Sequence, residues 1–143
     1  MLGKIFDRFR KKPQPIPSAA RLQISYEPRH DGDADPGEVV WTWVPYEDDP
    51  RQGKDRPVLV IGTVGSMLAV LPLTSKDHTG HGDCVELGRG AWDGGQRVSY
   101  VKLEHILKVA PSKVRREGAT LEKARFDEVI AELQAYARRG ARR

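Results

Sequence analysis

The chain has 143 residues, a single cysteine and a formal net charge of +4. That length supports one domain with a modest core plus tails, and the lone Cys84 excludes an intrachain disulfide and suits a reducing cytoplasm. Residues 1–12 and 136–143 each carry +4 and the body between them −4, which excludes a nucleic-acid binder acting by bulk charge and leaves any such contact to a few placed residues.

Met1 to Lys12 is charged throughout and lacks the apolar run of a signal peptide. Leu2, Ile5, Phe6 and Phe9 fall at helical spacing there. This predicts a short amphipathic helix that touches membrane, RNA or a partner, or else packs on the chain's own body. Pro13, Pro15 and Pro17 predict a stiff spacer, and the alternation of Leu22, Ile24 and Tyr26 an extra edge strand. His30 to Pro36 reads as a polar loop.

Glu38 to Val44, rich in Val and Trp, predicts a strand. Pro45 to Asp55 holds two prolines, one glycine and four acids and predicts a long mobile loop. Arg56 to Gly62 reads as a strand covered on both faces, and Met67 to Thr74 as its partner across a turn at Val64-Gly65-Ser66. Val58 to Leu73 is the longest apolar stretch, but Gly62, Gly65 and Pro72 make it two strands rather than a membrane span. Short strands follow at Asp83 to Leu87, at Gln96 to Lys102 after an Asp93-Gly94-Gly95 hairpin turn, and at Ile106 to Ala110. Leu121 to Ala137 carries Leu121, Phe126, Val129, Ile130, Leu133 and Tyr136 at three- and four-residue steps. This predicts the one long helix, with Thr120 as its N-cap. The fold class is mainly β with α, a small barrel with a packed C-terminal helix. The organisation is an extension over 1–36, the barrel over 37–137 and a basic tail over 138–143, the tail read as solvated and disordered.

Arginine cannot shed its charge and costs several kcal/mol to bury unpaired. Arg56 at the head of one buried strand and Thr74 at the foot of the next therefore mark an anion site, with Ser75 offering a second hydroxyl. On spacing alone, Arg56 paired with Asp55 or a loop acid, beside an ordinary strand end at Thr74, accounts for the pattern as well. Three ordered motifs tip the balance: Gly37-Glu38-Val39-Val40-Trp41, Arg56-Pro57-Val58-Leu59-Val60-Ile61 and Leu71-Pro72-Leu73-Thr74-Ser75. Together, over about Gly37 to Tyr136, they resemble the PemK/MazF family of toxin endoribonucleases. The resemblance implies an SH3-like barrel that dimerises in the cytoplasm and is neutralised by a cognate antitoxin. It implies cleavage of single-stranded RNA by 2′-hydroxyl attack, with no metal or cofactor, and places Arg56 and Thr74 on the family's catalytic arginine and threonine.

Such cleavage needs a base for the 2′-hydroxyl, a cation for the crowded phosphorane, an acid for the leaving oxygen and an in-line geometry. Lys102 and Glu104, two residues apart on one strand face, are candidates for substrate binding and for the base. Some family members carry arginine and aspartate there. The alternative is a surface ion pair worth under about 1 kcal/mol. Gln52 and Lys54, just ahead of Arg56, complete the candidate substrate-binding set. Some family members use a loop histidine before the arginine; none of the four histidines lies in Pro45–Asp55, so that role is empty here. His78 and His81 with Asp77, Asp83 and Cys84 make a poor zinc set, so no metal is expected, and their closeness to Thr74 leaves a contact with RNA open. Trp41, Trp43 and Trp92 read as mostly core, with an exposed ring able to stack a base. The acidic Glu47, Asp48 and Asp49 sit oddly beside a polyanionic substrate, and either fold away or restrict which RNAs enter. Two other classes stay open: a non-catalytic SH3-like module binding protein or nucleic acid, and a membrane-surface adaptor using Met1–Lys12.

Overall fold

A computed structural model describes residues 22–29, 33–76 and 82–141. The expected N-terminal helix, the proline spacer and three of the histidines, His30, His78 and His81, lie outside them. The strands are β1 (Leu22–Ile24), β2 (Glu38–Pro45), β3 (Gly53–Val64), β4 (Met67–Thr74), β5 (Cys84–Gly88), β6 (Ser99–Lys102), β7 (Leu107–Val109) and β8 (Arg115–Thr120). A 3₁₀ turn, Pro111–Lys113, precedes β8, and the helix α1 (Lys123–Ala141) ends the described chain. All strand pairings are antiparallel, in the order β5-β6-β4-β3-β2-β8, with β1 added to β3 and β7 to β4.

The long β3 is the spine of this curled sheet, and its sequence shows why. Leu59 and Ile61 go to one face, where they meet Leu71, Leu73, Val101 and the helix residues Phe126, Val129 and Leu133. Val58 and Val60 go to the other, with Val40, Val44, Leu68 and Val70. The unbroken apolar run is thus a strand buried on both faces, as expected. Each such side chain contributes roughly 1.5–3 kcal/mol on leaving water. The ladder to β4 slips between Val60 and Gly62. Beyond that point β3 exchanges its β2 neighbour for β1, whose Ile24 faces Gly62 in register. Gly62 has no side chain because a Cβ there would run into the Gln23 carbonyl.

Several expectations are corrected. The loop after β2 is short rather than long and mobile: the ladder continues to Pro45 opposite Gly53, and the Tyr46 N–H donates to the Gln52 carbonyl at 2.8 Å. Asp49 closes this turn by accepting from the Arg51 N–H, Arg51 Nε and Gln52 Nε2 at 3.2, 3.1 and 3.0 Å. Asp93-Gly94-Gly95 lies within a longer connection from Gly88 to Ser99 rather than closing a tight hairpin. Thr120 is the last residue of β8 and does not cap the helix, which starts at Lys123.

The helix runs four residues beyond Ala137, so Arg138 and Arg139 are its last turn rather than a disordered tail. Arginine is a good helix former, and its charge suits a helix C-terminus. Arg139 donates to the Gly82 carbonyl at 2.9 Å. Tyr26 ties β1 to the helix entry, donating to the Leu121 carbonyl at 2.6 Å and packing its ring 5.1 Å from that of Phe126. No described helix is long and apolar enough to cross a membrane.

The crossing at Gly62 is the tightest point of the sheet. Gly62→Ala should lower unfolding free energy by roughly 1–3 kcal/mol, the usual cost of overpacking, as read by urea denaturation. An unchanged midpoint would show that β1 is free to move away.

Candidate functional site

Three sheet elements carry the candidate residues to one place. The ladder of β2 and β3 sets Thr42 opposite Arg56, and Thr42 is itself fixed, donating to the Lys113 carbonyl at 3.0 Å. Thr74 ends β4 opposite Tyr100 of β6, so Lys102 at the end of β6 arrives beside it. Lys54, Arg56, Thr74, Ser75 and Lys102 all line one cleft of about 650 Å³. Two sequence candidates stand apart from its wall. Gln52 is spent on Asp49 in the turn, and Glu104 lies beside Lys102, 3.8 Å from its ammonium.

The cleft mixes charges, and most of the acids in its wall are already engaged. Asp55 pairs with Arg115 at 3.0 Å, not with Arg56. Asp93 is buried in the connection before β6, where it accepts from the Gly95 N–H at 2.9 Å and from Arg97 Nε at 3.0 Å. The Gly95 N–H first, and then the Arg97 guanidinium, hold its carboxyl below the ordinary value near 3.8. Arg56 is half-buried, and among the described residues its guanidinium has no carboxylate partner and no side-chain hydrogen bond. Its donors therefore remain available to an anion. The Thr74 hydroxyl accepts from the Lys76 N–H at 3.2 Å, which leaves its own proton to donate into the cleft.

Lys102 is different. Its ammonium meets Glu47 of the β2–β3 turn at 3.2 Å as well as Glu104 at 3.8 Å. Glu47, Glu104 and His105 bring their ligand atoms within 4.8 Å of one another, a spacing that suits a metal ion. The Lys102 ammonium beside both carboxylates already supplies the positive charge there. The sequence-level zinc set is divided: His78, His81 and Asp77 fall outside the described residues. Cys84 is no nucleophile, because burial first, then Asp83 and Glu104, push its thiol up to about 11.

Sequence reasoning missed Arg97, which lies in no motif and reaches the cleft only through the Asp93 turn. It also left His105 without a role. The expectation that the tryptophans are mostly core is corrected, since only Trp92 is buried. Trp92 is buried and donates to Ser99 Oγ at 3.0 Å, Trp41 donates to the Trp92 carbonyl at 2.9 Å while lining the cleft, and Trp43 is 51% exposed.

Residues 35–136 match the family described as PemK-like, MazF-like toxin of type II toxin-antitoxin system. In structure the chain is similar to one solved in the MazE-MazF (Form-II) crystal structure from Deinococcus radiodurans, with a TM-score of 0.54 and 23% identity. That similarity covers 75% of this chain and 97% of the other, and it establishes the likeness of fold. No curated protein matches the chain.

The depressed Asp93 carboxyl makes a pH prediction. A group whose pKa is lowered by folding adds stability above its unfolded value and loses it as pH falls through the folded one. Asp93→Asn should therefore melt below wild type at pH 7, and the gap should close as pH drops below about 4. A gap that persists unchanged at pH 2.5 would mean that the carboxylate charge does not stabilise the turn.

Proposed function

Since this chain belongs to the PemK-like, MazF-like toxins of type II toxin–antitoxin systems, we propose that it is an endoribonuclease cutting single-stranded RNA by attack of a 2′-hydroxyl on the adjacent phosphate. The observation that carries the reading is the half-buried Arg56 guanidinium, without a carboxylate partner among the described residues, lining a cleft with Thr74. A guanidinium fork matches two phosphate oxygens and stabilises the charge that develops on them. Thr74 donates to the same phosphate without adding charge, and Ser75 stands next to it. Lys54 and Lys102 take the strand on either side. The site as proposed uses neither metal nor cofactor.

The base is a carboxylate. Glu104, which the sequence suggests, sits behind Lys102, whereas Asp48 lines the cleft itself. We assign the 2′-hydroxyl proton to Asp48, have water protonate the 5′-oxygen as its bond to phosphorus breaks, and give Glu104 the task of holding Lys102. On this reading the protein acts in the cytoplasm as a homodimer and is silenced by a cognate antitoxin; the last is supported by the family's place in type II toxin-antitoxin systems and by the likeness to a chain of a MazE-MazF structure. One observation favours a non-catalytic binding module instead: Lys102 is already neutralised by two carboxylates.

Cleavage of a mixed RNA in EDTA separates the two readings. Arg56→Ala should lose at least about 100-fold in rate while keeping its melting profile, the usual loss for a preorganised charge stabiliser. Thr74→Ala should lose less, because the hydroxyl only positions the phosphate. Asp48→Asn should abolish the acidic limb of the pH–rate profile, and Glu104→Gln should keep it. The reverse pattern would return the base to Glu104, and equal rates for wild type and Arg56→Ala would remove Arg56 from the chemistry.

A further inference from the structure

The cleft does not end at Arg56 and Thr74. A second hollow of about 620 Å³ adjoins it, and Tyr46, Asp48, Arg56 and Lys102 belong to the walls of both. Glu47 and His105 line only the second. One oxygen of Glu47, Oε2, receives Lys102 Nζ at 3.2 Å and His105 Nε2 at 3.2 Å. Two nitrogens from the end of β6 and the segment after it thus converge on a single anionic atom carried by a distant turn.

Stability does not account for this arrangement. The Glu47 and His105 side chains are 55% and 49% exposed, and exposed ion pairs add under about 1 kcal/mol. The turn that carries Glu47 is held without it, by Asp49 and by the Tyr46–Gln52 backbone bond. What the three groups do share is the geometry of a bound anion: Lys102 Nζ donates to one oxygen, and His105 Nε2 lies 3.2 Å from the same atom.

We propose that Lys102 and His105 form a second phosphate subsite on the RNA path, and that Glu47 occupies it as a tethered competitor which an entering strand displaces. The identity of the ligand rests on the endoribonuclease reading. A strand that lays one phosphate against Arg56 and Thr74 runs directly into the adjoining hollow, because Arg56 and Lys102 form part of both walls. A non-bridging phosphate oxygen takes the same two donors as the carboxylate oxygen. Affinity is then reduced by the fraction of molecules in which Glu47 holds the subsite. Strands too short to reach both subsites gain nothing from displacing it, so the device favours longer single strands. It also gives the acidic turn a purpose on a protein that handles a polyanion.

A double-mutant cycle tests this, read by fluorescence anisotropy with a labelled dodecamer of 2′-O-methyl RNA of randomised sequence. The probe lacks the attacking hydroxyl, so binding is measured apart from cleavage. Glu47→Gln should tighten Kd about three- to tenfold in the wild-type background and less than twofold in the Lys102→Ala background, since the two residues act on one subsite. Equal tightening in both backgrounds would reduce Glu47 to a long-range charge effect and overturn the proposal, as would no tightening in either. Tightening toward a poly-glutamate peptide but not toward the RNA would assign the site to a protein carboxylate and overturn it too. If wild type cuts RNA and the cycle shows no coupling, the subsite fails alone. If wild type neither cuts RNA nor binds the probe, the endoribonuclease reading fails with it.

Discussion

A guanidinium that cannot neutralise itself, set half-buried in the longest strand with no carboxylate against it among the described residues, is the constraint on which the account depends. Such a group keeps its charge hydrated by the open cleft and its donors available to an anion that enters. Two neighbouring acids do not quench it: Asp55 is drawn off by Arg115 and Asp93 by Arg97. The fold holds a cation in readiness and draws off two of the three acids in the cleft wall, leaving Asp48. On the proposed reading, an external anion completes the site.

The same sheet arranges the opposite outcome at Lys102, where Glu47 and Glu104 both approach. Two cations a short way apart along one groove are therefore in different states, one open and one occupied. Because the body of the chain is net acidic, bulk attraction does not draw a polyanion in. Binding has to come from placed donors, and an internal carboxylate competing at one of them changes how easily a strand seats. On the proposed reading, catalytic stabilisation at Arg56 and selectivity at Lys102 arise from separate parts of one surface.

Much of this was legible in the residues. The run Val58 to Ile61 announced a strand buried on both faces, and Phe126, Val129 and Leu133 announced the helix that covers one of them. Arg56 and Thr74 stood out as polar residues at the ends of apolar strands. What escaped was set by pairing rather than pattern. Arg115–Thr120 has a polar, charged sequence and is a strand because the edge of β2 needs a partner. The turn after β2 read as long and mobile because the ladder from Pro45 to Gly53 and the bonds to Asp49 cannot be seen in composition. Glu47 lies 55 residues from Lys102 in the chain, and only the closure of the sheet brings it to Lys102 and His105. Arg97 escaped for the same reason.

The chemistry of the cut ends tests the central claim most directly. Purified wild-type protein should cleave single-stranded RNA in the presence of EDTA, and the products should carry 5′-hydroxyl ends and 2′,3′-cyclic phosphates, as attack by the neighbouring 2′-hydroxyl requires. Products ending in 5′-phosphate, or cleavage that stops when divalent ions are chelated, would contradict an arginine-centred, metal-independent site.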